Sequence, residues 1–227
     1  MKASRERWNA LCGRLGALDN PKAKRIFAGD NRASGRLVNR IYDKLIAAYT
    51  GPERHYHNLN HINSGLEKLD EVYNLDLNPN PDALEMAWWW HDFIYNIHSN
   101  SNEDQSAASA NMALKELNVP AKFRIHVMQL IIATKHDYIP DSFDRRLIID
   151  IDLTSLGNSP EIFDQNTANI RKEYAHVSNQ DFVKKRAQFF RKFLEGRPSI
   201  YLTNIFRNRY EAQAQENLKR TIEKSSS

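Results

Sequence analysis

The chain has 227 residues, 41% hydrophobic and 26% charged, an ordinary globular composition with enough length for one sizeable core. Lys and Arg exceed Asp and Glu by four, a mildly basic balance that permits an anionic partner but lacks the basic, aromatic-interleaved stripe of a nucleic-acid binder. The single cysteine, Cys12, rules out an intramolecular disulfide framework; no signal-like apolar run opens the sequence, and no stretch approaches the ~20 apolar residues that span a bilayer. A cytoplasmic protein without a membrane partner is therefore expected.

Helical spacing of apolar residues recurs along the chain, and strand alternation is nearly absent. Trp8, Leu11, Cys12 and Leu15 form the apolar face of a first helix, which gives Cys12 a core role. Leu37, Ile41, Leu45 and Ala48 make the next stripe, stopped by Gly51-Pro52. Asn58 is placed to cap a helix carrying Leu59, Ile62, Leu66 and Leu69. Asn78-Pro79-Asn80-Pro81 reads as a loop, after which Asp82 opens a Trp-rich helix. A polar run from Asn96 to Asn102 leads to Ala107, Ala110, Leu114 and Leu117, stopped by Pro120.

Phe123, Val127, Ile131 and Thr134 mark the following helix. Leu147-Ile148-Ile149 is short enough for a buried strand, but Phe143, Leu147 and Ile151 are spaced for a helix and no partner strand is evident. Ser159-Pro160-Glu161 starts another helix, with Phe163, Thr167, Ile170 and Tyr174 on one face. Phe182, Phe189, Phe190 and Phe193 belong to a helix closed by Gly196 and Pro198; its Lys184-Lys185-Arg186 cluster reads as a solvated face. The pattern predicts an all-α, single-domain bundle of about eight or more helices over residues 1–220, with residues 221–227 as a flexible tail ending in three serines.

One stretch breaks the apolar logic. In Ala87-Trp88-Trp89-Trp90-His91-Asp92-Phe93-Ile94-Tyr95, an imidazole and a carboxylate sit among residues that favour burial. A buried carboxylate requires a cation or several hydrogen-bond donors, and a divalent metal would satisfy both residues. Upstream lies Arg54-His55-Tyr56-His57-Asn58-Leu59-Asn60-His61, and downstream lie Lys135-His136 and Asp150-Ile151-Asp152. His57 and His61, four residues apart, are spaced to face the same region. Imidazole with carboxylate suits Mn, Fe, Co, Ni or Zn, and no His-Glu-x-x-His zinc-protease signature is present. On a regular helix His91 and Asp92 diverge by about 100°, so they share an ion lying between their directions or Asp92 bridges two. The three consecutive tryptophans point in three directions at helical spacing; packing is expected, with one ring lining a pocket.

The order His, His-Asp, distant Asp resembles the HD-domain superfamily of metal-dependent phosphohydrolases, and a bacterial branch of predicted HD phosphohydrolases more closely. The linked blocks that carry the resemblance, across about residues 35 to 220, are Arg54 to Ile62, Trp90 to Tyr95, Asn102-Glu103, Thr134-Lys135-His136, Asp150 to Gly157 and Asn169 to Tyr174. The motif core covers about residues 35–160.

The resemblance implies an HD-type helical bundle with a central metal site. Its metal ligands would be His91, Asp92, an upstream histidine (His61 in preference to His57) and Asp152 in preference to Asp150. One divalent ion is implied, with a second if His136 joins. Arg54, Glu103 and Asp104 would lie near the site. Glu103, Asp104 or His136 would orient or deprotonate a water, and Arg54, Lys135 and Arg171 would hold phosphate oxygens; each cation also has a plain reading as a surface charge. Tyr174, on an apolar stripe, is expected in the core. The function implied is hydrolysis of a phosphate ester, a nucleotide or another small phosphorylated metabolite. The competing readings are a metal- or nucleotide-binding module without turnover and an HD-fold lyase or iron oxygenase. Self-association is left open by the aromatic-rich C-terminal helices.

Overall fold

A computed structural model describes residues 2–26, 32–75 and 79–225; Asn78 of the expected loop and the last two serines lie outside them. Every regular element among the described residues is helical, eleven α-helices and two short 3-10 turns, so the protein is all-α. None of these helices is long and apolar enough to cross a membrane. The chain divides into two units, Met1–Tyr138 and Ile139–Ser227.

The first unit holds α1 (Arg5–Arg14), α2 (Pro21–Ile26), α3 (Ala33–Tyr49), α4 (Leu59–Tyr73), α5 (Pro81–Trp90), α6 (Asn102–Glu116) and α7 (Ala121–Ala133). The Trp-rich helix α5 packs against α1, α4, α6 and α7, which explains why its sequence is apolar nearly all round: Ala83, Leu84, Met86, Ala87, Trp88, Trp89 and Trp90 are all buried. The helix starts one turn-residue earlier than the sequence suggests. Asn80, not Asp82, is the cap, accepting from the Ala83 N–H, because Pro81 supplies the preset first position. Asp82 falls in the first turn and pairs with Arg14 of α1 at 2.7 Å.

Helix α1 is fastened by charge as well as by Trp8, Leu11 and Cys12, all fully buried. The Arg7 guanidinium donates to Glu85 Oε1 at 2.7 Å and, bidentately, to both Asp70 oxygens at 2.8 Å, linking α1 to α4 and α5. Helices α4 and α5 approach closely at Gly65, where a Cβ would lie 2.0 Å from the Trp88 ring. Only glycine lets that indole lie against α4, where its Nε1–H donates to the Ile62 carbonyl at 2.9 Å.

The second unit holds α8 (Phe143–Asp152), α9 (Pro160–Glu173), α10 (Asn179–Glu195) and α11 (Asn204–Lys224). The Leu147-Ile148-Ile149 run is helical and buried. Ser159 precedes Pro160 at the start of α9, and Gly196 caps α10. Helix α11 continues to Lys224, further than the sequence pattern indicates. Arg186 is not simply solvated: it donates to Thr167 Oγ1 and covers the Phe190 ring, while Lys184 and Lys185 are exposed.

Candidate metal centre

The end of α5 is built by side chains that arrive from elsewhere in the unit. A helix C-terminus leaves four carbonyls without intrahelical partners. Here the Trp88 carbonyl accepts from the His91 ring Nδ1 at 2.9 Å, and the Trp89 carbonyl accepts from the Tyr49 hydroxyl at 3.0 Å. The Trp90 carbonyl accepts from the Phe93 N–H at 3.1 Å. Beyond the helix, Arg54 donates from Nη1 to the Asp92 carbonyl at 2.7 Å and from Nη2 to the Phe93 carbonyl at 3.0 Å. Ser106 Oγ then accepts from the Ile94 N–H at 3.0 Å. The His-Asp doublet is thus not embedded in a helix. His91 is the C-cap and Asp92 lies in the turn beyond, which resolves the expected divergence of the two side chains.

In this turn Asp92 Oδ2 lies 3.1 Å from His91 Nε2. His61, in the first turn of α4, brings its Nε2 to 3.1 Å from His91 Nε2 and 3.6 Å from Asp92 Oδ2. These three residues form a group able to hold a metal ion. The His91 ring is fixed on both sides: it stacks on Trp88, with centroids 4.2 Å apart at 20°, and its Nδ1 faces a carbonyl. A carbonyl can only accept, so Nδ1 carries the proton of a neutral ring and the Nε2 lone pair faces the carboxylate. Two acceptors 3.1 Å apart, with His91 only 1% exposed, require a proton or a cation between them.

The donor set fits a divalent ion. Ligands at the usual ~2.1 Å stand about 3.0 Å apart on an octahedral edge and about 3.4 Å apart on a tetrahedral one, against the observed 3.1, 3.1 and 3.6 Å. The electrostatics point the same way. Burial alone would push the Asp92 carboxyl up, but positive charge on the adjacent His91 ring, helped by His57 and His61, holds it well below the usual carboxylate range; with the rings neutral, a cation between them would supply that charge. The carboxylate is therefore ionised and ready to ligate.

The other residues singled out by the sequence fall in different places. His57 lies beside the group: its ring is 5.9 Å from that of His61 and lies tilted by 32° against Tyr95 at 4.4 Å. Arg54 is 7% exposed; besides the α5 end it donates to the His57 carbonyl at 3.1 Å, and Tyr49 and Tyr95 lie over its guanidinium. Its described donors thus meet main chain. Glu103 and Asp104 occupy the first turn of α6, and Asp104 accepts from Lys135 Nζ. His136 follows α7 and is nearly buried, with φ +58°. This left-handed conformation suits the turn that ends a helix.

Asp152 closes α8 in the second unit. Asp150 is committed to structure there: its carboxylate accepts from the Leu202 and Thr203 N–H groups and the Thr203 hydroxyl, each at 2.7 Å. Arg171, expected to hold phosphate, donates to the Tyr174 and Val177 carbonyls and to Asn179 Oδ1, a loop-closing role. Tyr174, expected in the core, is half-buried. Sequence reasoning missed Gly65, Tyr49 and Ser106. Of these only Gly65 carries a signal, as an isolated glycine inside a helical pattern.

Against known proteins, the chain matches no family model, no curated protein and no solved structure.

Proposed function

We propose that the protein is a cytoplasmic, metal-dependent hydrolase of phosphate esters, related to the HD-domain superfamily and acting on a nucleotide or another small phosphorylated metabolite. The observation that carries this reading is the convergence of His91 Nε2, Asp92 Oδ2 and His61 Nε2, the first lying 3.1 Å from each of the other two. Two imidazoles and an ionised carboxylate suit Mn, Fe, Co, Ni or Zn, with metal choice governed by geometry and supply. Three ligands leave coordination positions for water and for substrate.

A divalent ion bound there supplies a Lewis acid for a phosphoryl oxygen and lowers the pKa of a water. The chain's own residues do the rest. His91, pinned by Trp88 and its carbonyl, presents Nε2 in one orientation. Asp92 contributes negative charge that offsets part of the ion's own. The resemblance assigns the water to Glu103, Asp104 or His136; these belong to the same unit as the cluster, and Asp104 already forms an ion pair with Lys135.

The test is to load the protein with each of the five metals in turn and assay p-nitrophenyl phosphate, bis(p-nitrophenyl) phosphate and a panel of nucleotides. Product release should require metal, stop with chelator, and vanish in His91→Ala and Asp92→Ala while helicity is retained. Tight metal binding with no product from any ester would replace the hydrolase reading with that of a binding module.

A further inference from the structure

Arg54, expected to hold phosphate, is engaged otherwise. A guanidinium meant for phosphate would offer its fork to a ligand, but this one is buried and directs Nη1 and Nη2 at three main-chain carbonyls, those of His57, Asp92 and Phe93. Two of these carbonyls belong to the turn that carries Asp92. The third belongs to the loop that leads into α4 and His61. That loop is closed reciprocally: Asn58 Nδ2 donates to the Arg54 and His55 carbonyls, while Asn58 Oδ1 accepts from the Asn60 N–H and caps α4. The two ligand-bearing segments, 38 residues apart at the Arg54–Asp92 contact, are joined by one side chain.

We infer that Arg54 is the positioning residue of the metal centre, holding the His61-bearing loop and the His91–Asp92 turn at ligating distance before any ion binds. This rests on the metal-site reading proposed above. The role demands arginine. Its donors are spread in one plane and reach several acceptors together, whereas a lysine ammonium is a point donor. Tyr49 and Tyr95, with ring centroids 5.1 and 5.2 Å from the guanidinium carbon, hold that plane and favour its charge. Residues that orient metal ligands through hydrogen bonds affect affinity without touching the ion.

Cobalt(II) is the probe, because its visible spectrum reports ligand geometry. The protein, Arg54→Lys and Arg7→Lys are titrated with it, and helicity is followed alongside. Arg7 is an equally buried arginine of the same unit, engaged with Asp70 and Glu85 instead of the site. Arg54→Lys should weaken cobalt binding about 10- to 100-fold and alter the band shape of the bound ion, while Arg7→Lys lowers thermal stability and leaves both nearly unchanged. If Arg54→Lys does not fold, Tyr95→Leu, which removes one ring from the guanidinium, should give a smaller loss in the same direction. Equal losses in the Arg54 and Arg7 variants, or a native spectrum and affinity in Arg54→Lys, would reduce Arg54 to general scaffolding. Cobalt bound by the wild type but not affected by Arg54 sinks this inference alone; no cobalt bound by the wild type sinks the metal-site reading with it.

Discussion

Two aspartates, one in each unit, the first fully buried and the second half-buried, show how surroundings assign a role to the same side chain. Asp150 is fully buried and its carboxylate accepts from neutral donors, two backbone N–H groups and a hydroxyl, each at 2.7 Å, with the charge of Arg197 nearby. It ties α8 to the segment that starts α11, and burial pushes its carboxyl up to about 6 despite those hydrogen bonds. Asp92 faces the ring nitrogens of two histidines at 3.1 and 3.6 Å and is held well below the usual range. The first carboxylate is satisfied without an ion. The second is held ionised by positive charge between it and the imidazoles, which either a proton on the rings or a metal ion supplies.

The largest way to break this comparison is to displace the platform under His91. Gly65→Ala places a Cβ 2.0 Å from the Trp88 ring, and since Trp88 stacks on His91, the clash reaches the ligand. Overpacking of a core costs about 3 kcal/mol at the upper end of its usual range, so urea denaturation should show a loss of that size together with weakened metal binding. A near-native stability would mean that α4 and α5 separate easily and that Trp88 does not fix the site.

A comparable effect is expected at Asp150, read through pH. The folded carboxyl binds its proton up to about 6, above the ~3.9 of an unfolded chain. The folded state therefore holds more protons than the unfolded state between these values, and the stability contributed by Asp150 rises as pH falls from about 7 to about 4. The wild type should gain about 3 kcal/mol on Asp150→Asn across that window. The opposite trend would mean that the three hydrogen bonds to the ionised form outweigh burial.

The smallest effect belongs to the Asp104–Lys135 pair, whose side chains are 48% and 21% exposed. Exposed pairs contribute little, and Asp104→Ala should cost under about 1 kcal/mol in thermal or chemical denaturation. A cost several times larger would place the pair in the same structural class as Asp150.

Much of the fold could be read locally. Asn58 before an apolar 3.6-residue stripe, Pro160 after Ser159, and Phe143, Leu147 and Ile151 at helical spacing are each short-range signals, and the helices stand where they indicate. The end of α5 could not be read so. No glycine or proline stops the helix after Trp90; its last carbonyls are taken by Tyr49 and the His91 ring, and those of the following turn by Arg54, and two of these partners lie about forty residues away. The nature of His91 and Asp92 as chemistry-bearing residues was legible from their apolar surroundings. Their convergence was not, because it depends on that long-range cap. The same limit applies to Arg54, whose charge is visible in the sequence while its acceptors are backbone atoms, which carry no residue-specific mark.

The central claim is that His61, His91 and Asp92 hold a divalent metal, and metal content measures it most directly. Elemental analysis of the purified protein, before and after incubation with Mn, Fe, Co, Ni or Zn, should give about one equivalent in the wild type and almost none in Asp92→Asn, a variant that keeps the shape of the side chain and removes its charge. A wild-type protein that takes up none of these metals would contradict the account and make His91 and Asp92 a proton-sharing structural pair.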